Sequence, residues 1–186
     1  MRGLFVLLLS LLHLLSWGQN EIQYQNKALQ RELIKEGIPD FSEILEITVV
    51  DSIKKSYRLQ GKFFEIQSDL FQYKYIYTGR VYSCRASGCS ISPEIPEEGE
   101  SEYFDYFILF NKNKAVQLIN VFNYQATHGQ EVTSKGWLKQ FIGHNGSEPL
   151  QVDKNIDAIS GATISVYAIT ADVGMKTTIL DMILHE

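Results

Sequence analysis

Between residues 103 and 124 the chain carries two long runs of β-forming residues separated only by Asn111-Lys-Asn-Lys114. A connection that short can only turn the chain back beside itself, so the two runs predict an antiparallel pair. A parallel pair would need a crossover of about a dozen residues or more. Upstream, residues 62–66 and 73–83 are further strand candidates, the second rich in Tyr, Ile, Thr and Val. Segment 41–51 ends in the β-branched run Ile47-Thr-Val-Val50, a further extended candidate. Strands are not interleaved with helices, so the pattern predicts an α+β fold, an antiparallel sheet packed with helices, rather than βαβ units.

Three segments read as helices. Residues 19–37 place Ile22, Leu29, Leu33 and Ile34 at helical spacing, and Gly37-Ile-Pro39 stops them. Residues 137–142 form a short amphipathic turn ended by Gly143. Residues 162–184 predict a long C-terminal helix, in which Ile164, Ala168, Ala171, Met175, Thr178 and Met182 recur every three or four positions as the packed face. With 186 residues, 45% of them hydrophobic, the chain can build one core in one domain. Residues 93–102 are acidic and turn-prone, which predicts a surface loop.

The N-terminus reads as an export signal. Arg2 supplies a positive charge, residues 4–15 are apolar apart from Ser10 and His13, and Ser16-Trp17-Gly18 offers small residues where a signal peptidase reads them. The run falls short of the roughly 20 apolar residues that a spanning helix needs. Residues 1–18 are therefore expected to be a signal peptide and residues 19–186 the mature domain, with an uncleaved anchor as the alternative. Export to the periplasm or cell surface is the expected localisation. The net charge of -5, without a basic stripe, argues against a nucleic-acid partner, since phosphate binding needs clustered Lys and Arg.

Cys84 and Cys89 are the two cysteines, with four residues between them, Gly88 among these. In an exported chain such a pair reads first as a disulfide. A redox-active dithiol and a metal site are the alternatives, although zinc usually needs four ligands and no second Cys/His pair has ligand spacing.

The chemistry concentrates in Asp157-Ala-Ile-Ser-Gly-Ala-Thr163. Ser160 is a good N-cap for the last helix, and Gly161 allows a tight turn into it. Thr163 then falls in the first helical turn, where unsatisfied N–H groups and the helix dipole favour a phosphate. By itself such a segment is also an ordinary capped helix start. Asp157 would sit favourably there as a plain loop residue.

Asp157-x-x-Ser160-Gly161-Ala162-Thr163 resembles the flavinylation motif of the FMN-binding domain family. That family includes the covalent-FMN subunits of the sodium-pumping quinone reductase and related ferredoxin-oxidising complexes. A second stretch, Tyr124-Gln-Ala-Thr-His-Gly-Gln-Glu-Val-Thr-Ser-Lys-Gly-Trp137-Leu-Lys-Gln-Phe141, resembles the family's Thr-x-Gly turn followed by Trp-x-x-Gln-Phe. The likeness spans roughly residues 103–180.

The resemblance implies FMN held covalently through a phosphoester to Thr163, attached by a flavin transferase that uses FAD. It also implies that Asp157 serves recognition by that transferase, that the Thr127-His128-Gly129 turn borders the isoalloxazine, and that Trp137 lies near it. Two positions depart from the family pattern: His128 stands where the turn usually has Pro, and Ala126 where an acidic residue usually precedes it. Gln130 or Glu131 are candidates for the missing polar partner. On the residues alone, His128 reads first as a surface turn residue, Trp137 as a core anchor, and Lys135 and Lys139 as solvated rather than phosphate-neutralising.

The function so implied is extracytoplasmic electron transfer, fed by a membrane electron-transport donor, with peripheral membrane association. No Gly-x-Gly-x-x-Gly follows a strand, which favours a carrier over a stand-alone oxidoreductase. The alternatives are a small flavin reductase using the Cys84/Cys89 pair and a secreted binding module without redox chemistry.

Overall fold

A computed structural model of the chain describes residues 21–38, 41–85 and 101–185. The anticipated signal peptide lies outside these residues, as does Cys89 and with it the predicted disulfide.

Five antiparallel strands form one sheet: β1 (Ile44–Ile47), β2 (Gly61–Ile66), β3 (Tyr75–Arg85), β4 (Ser101–Phe110) and β5 (Val116–Tyr124). Their order in space is their order in sequence. The predicted hairpin across Asn111 and Lys114 pairs β4 with β5, Leu109 opposite Leu118 and Phe104 opposite Tyr124. Asn111 closes it by accepting hydrogen bonds from the backbone N–H groups of Asn113 (2.9 Å) and Ala115 (3.1 Å).

The sheet lies between helices. Helix α1 (Lys27–Lys35) covers one face, and the 21-residue C-terminal helix covers the other. Strand β4 is therefore buried on both sides: Tyr106, Ile108 and Phe110 face the C-terminal helix, while Phe107 and Leu109 face α1. That two-sided burial explains its near-continuous apolar sequence. The fold is thus the α+β arrangement expected.

Helix α1 starts at Lys27 rather than residue 19, because Asn26 caps it: its side-chain oxygen accepts the Leu29 N–H at 2.9 Å. Gly37 ends it with φ of 85°, and the Ile38 N–H bonds back to Leu33. Of the four apolar positions predicted for this helix, Leu29 and Leu33 are buried, Ile34 is exposed, and Ile22 precedes the first turn. A short helix α2 (Asp51–Ser56) follows directly on Ile47-Thr-Val-Val50, so that β-branched run ends a strand rather than extending one. Helix α3 (Lys135–Leu138) continues as a 3₁₀ turn over Lys139–Phe141.

The C-terminal helix α4 (Thr163–Ile183) spans the predicted residues, but of the predicted face only Ala168 and Met175 pack against the core, both partly buried. Val166, Ile169, Val173, Ile179 and Leu180 are buried, whereas Ile164, Ala171, Thr178 and Met182 are exposed. Apolar residues run nearly all round this helix, so two stripes share the same period and spacing alone does not choose between them.

Two polar groups are built into the α4 face of the core. Tyr77 lies over Gly61 and Gly79, where added Cβ atoms would fall 2.5 Å and 2.1 Å from its hydroxyl oxygen. Its O–H donates to the Gln60 carbonyl at 3.1 Å. Buried Lys176 pairs with Asp172 at 2.7 Å, and Asp172 also accepts the Tyr106 hydroxyl. Burial pushes both phenols well above their ordinary range, so they act as neutral donors.

The segment after α3 is tied to the start of β5 by Gly143 N–H to Val116 O and Val116 N–H to His144 O, both 2.8 Å. The His144 imidazole is half-buried there, and its Nε2 has no partner among the described residues. Burial holds this imidazole below its ordinary 6.5. The unfolded chain therefore binds a proton near pH 6.5 that the folded chain resists, so stability is full above that pH and declines below it. We expect the denaturation midpoint to fall from pH 7.5 to pH 5.5, with a smaller fall in His144→Gln. Equal slopes in the two proteins would refute a role for His144.

Candidate functional site

The segment before α4 is held from α3. The Trp137 indole N–H donates to the Asp157 carbonyl at 2.8 Å, and the Gln140 side-chain oxygen accepts the Asp157 N–H at 2.8 Å. Trp137 also packs with Val132, Ala162 and Val166 and meets Phe141 edge-on, with ring centroids 5.4 Å apart. It is an anchor that fixes the approach to α4. Asp157 itself is exposed, its backbone gripped and its carboxylate turned to solvent.

Ser160 is not the N-cap. The helix begins at Thr163, and Ala162 occupies the cap position with no side-chain cap hydrogen bond. Gly161, with φ of 83°, turns the chain inward so that Ala162 rather than Ser160 reaches the helix end. Ser160 and Gly161 are exposed, and nothing lies within 4 Å of the position a Gly161 Cβ would occupy. Thr163 is thus an exposed hydroxyl on the first residue of a long helix whose leading N–H groups lack a side-chain acceptor.

The Thr127-His128-Gly129 turn packs against that same helix start. Gly129 has φ of 86°, and a Cβ there would lie 2.5 Å from the Ser165 Oγ. The Tyr124 hydroxyl donates to the His128 carbonyl at 2.5 Å and stands 3.1 Å from the Ser165 Oγ. Because the Tyr124 proton is committed to His128, Ser165 donates in the second bond. Burial raises the Tyr124 phenol, the Glu102 and Glu131 carboxylates add to the rise, and the Ser165 hydrogen bond opposes it. Tyr124 is stacked on Phe104, with centroids 5.4 Å apart, so the relay is fixed to the sheet.

The fold therefore brings both motifs noted in the sequence to one end of α4. The His128 side chain is exposed, and only its carbonyl is engaged in this relay. Gln130 and Glu131 lie in the following 3₁₀ turn, both exposed. Lys135 and Lys139 line a hollow of about 130 Å³ with Gln117, Asn120 and Glu32.

Glu102 was missed in the sequence, where it closes an acidic loop segment. At the start of β4 it accepts the Thr127 N–H at 3.1 Å and the Thr127 hydroxyl. Only strand pairing reveals the contact, since 25 residues separate the partners.

The model of the FMN-binding domain family matches residues 99–174, about two-fifths of the chain. That stretch runs from the end of the acidic segment through β4, β5, α3 and the first half of α4, and it contains Glu102, Tyr124, the Thr127–Gly129 turn, Trp137 and the segment from Asp157 to Ser165. Over that stretch the chain is similar to the FMN-binding domain family, and the cofactor this supports is FMN. No curated protein matches the chain.

Proposed function

We propose that the chain is an exported electron carrier that holds FMN through a phosphoester on Thr163. The observation that carries the attachment is the uncapped start of α4, with Ala162 in the cap position and an exposed hydroxyl on the next residue. A phosphate at that hydroxyl would accept the free N–H groups and sit at the positive end of a 21-residue dipole, taking the role that Ser, Thr or Asp usually plays at a cap. Gly161 leaves the space in front of the helix open, which suits a bulky group attached there.

The Thr127–Gly129 turn and Trp137 stand beside the same helix end, which supports their place along the flavin. When bound, FMN supplies one- or two-electron chemistry, while this chain supplies position and electrostatics. Thr127, Gly129 and Ser165 fix the turn, and Trp137 and Gln140 fix the backbone leading to the attachment residue. A tether also suits a protein working where free FMN is scarce, because rebinding becomes intramolecular, at an effective concentration of about millimolar.

A flavin transferase is the maturation partner in this reading, and a membrane-bound electron-transport component is the donor. The N-terminal segment carries the export, to the periplasm or cell surface, with peripheral association at the membrane. None of the described helices is long and apolar enough to cross a membrane. The test is intact-protein and peptide mass spectrometry on the full chain co-expressed with a flavin transferase. A mass gain of one FMN phosphoester, located on the peptide containing Thr163, is expected. An unmodified chain, with the transferase active on a control substrate, would overturn the proposal.

A further inference from the structure

The Thr127–Gly129 turn hangs beyond the end of β5, and its first residue is held from outside its own segment. One carboxylate oxygen of Glu102 accepts both the backbone N–H and the hydroxyl of Thr127. Such charge-assisted bonds are roughly twice as strong as neutral ones. From there a continuous set of contacts leads to the attachment helix: Thr127, the His128 carbonyl, the Tyr124 hydroxyl and Ser165 in the first turn of α4. The residue directly before the turn is Ala126, which has no polar side chain. Gln130 and Glu131 follow the turn and point to solvent.

Resting on the reading above, we propose that Glu102 is the positioning residue of the flavin's ring-side turn and supplies a fixed negative charge there. The carboxylate comes from β4, across the sheet, rather than from the turn itself. Its two bonds leave both of its acceptor contacts on Thr127, so the turn is braced before any cofactor arrives. Its charge opposes the gain of electrons by a neighbouring flavin and makes the reduced protein a stronger donor. Glu131 adds charge of the same sign near Tyr124, and no Lys or Arg pairs with either carboxylate among the described residues.

Two variants separate bracing from charge. Glu102→Gln keeps an acceptor oxygen but removes the charge, whereas Glu102→Ala removes both. In the unloaded full chain, hydrogen exchange of the Thr127 amide should accelerate about tenfold or more in Glu102→Ala, the loss of one charge-assisted bond, and much less in Glu102→Gln. In the flavin-loaded chain, Glu102→Gln should raise the midpoint potential, so that the reduced-to-oxidised ratio at a fixed applied potential increases about threefold or more. Equal Thr127 exchange in wild type and Glu102→Ala overturns the bracing role, and an unchanged potential in loaded Glu102→Gln overturns the electrostatic one. A wild-type chain that never takes up FMN sinks the flavin reading instead, and the amide exchange still decides the bracing.

Discussion

Thr163→Ala should leave the protein at its unmodified mass and colourless, with its fold intact. The substitution removes the only atom through which the proposed phosphoester can form. It does so at an exposed first helical position, where Ala is at least as favourable as Thr. The change in unfolding free energy should stay within about 0.5 kcal/mol, as for other surface replacements. Loss of flavin with unchanged thermal unfolding would separate attachment from folding. Thr163→Ser retains a hydroxyl at the same backbone position and should recover the adduct at least in part. An FMN mass retained on Thr163→Ala would place the linkage elsewhere and end the proposal.

Asp105→Ala should be the most destabilising single change away from the site. Asp105 is 1% exposed and Arg80 7%. Two bonds join them, Arg80 Nε to Oδ1 at 2.7 Å and Nη2 to Oδ2 at 3.1 Å, and Asn123 adds a third donor to Oδ2 at 2.8 Å. The guanidinium lies 3.7 Å from the centroid of the Tyr103 ring, which blocks its escape to water. Removing the carboxylate takes two charge-assisted hydrogen bonds from the buried guanidinium and one from the half-buried Asn123 amide, a loss of about 3–5 kcal/mol. For a chain of this size that corresponds to a fall in Tm of roughly 6–20 °C. Replacing both partners, Arg80→Met with Asp105→Leu, should recover most of the loss, because no charge is then stranded. A single variant as stable as the wild type would show that water reaches the pair.

Much of this architecture can be read from residue order. Turn length at Asn111 and Lys114 dictates an antiparallel pair, and the β-branched and aromatic runs mark β2 to β5 to within a few residues. Helix ends were harder. Asn26 caps α1 seven residues after the first residue predicted to be helical, since polar residues on both sides of it satisfy the same pattern. The packed face of α4 was largely misplaced because an all-round apolar helix carries no phase. At the site, Asp157 to Thr163 and Thr127 to Gly129 could be picked out as segments because each is contiguous. Their juxtaposition, and the parts played by Glu102, Tyr124 and Ser165, depend on contacts across 25 and 41 residues that no local pattern encodes.

The strand order has a consequence for how the protein matures. Each strand neighbours its predecessor, so the sheet can be laid down hairpin by hairpin. Helix α4 must instead return to pack on β3, and the cradle around Thr163 needs the start of β4, the turn after β5 and the first turn of α4 together. That cradle is therefore among the last features to be completed. A transferase that recognises it would modify finished molecules and pass over incomplete ones, so that colour itself becomes a record of correct folding.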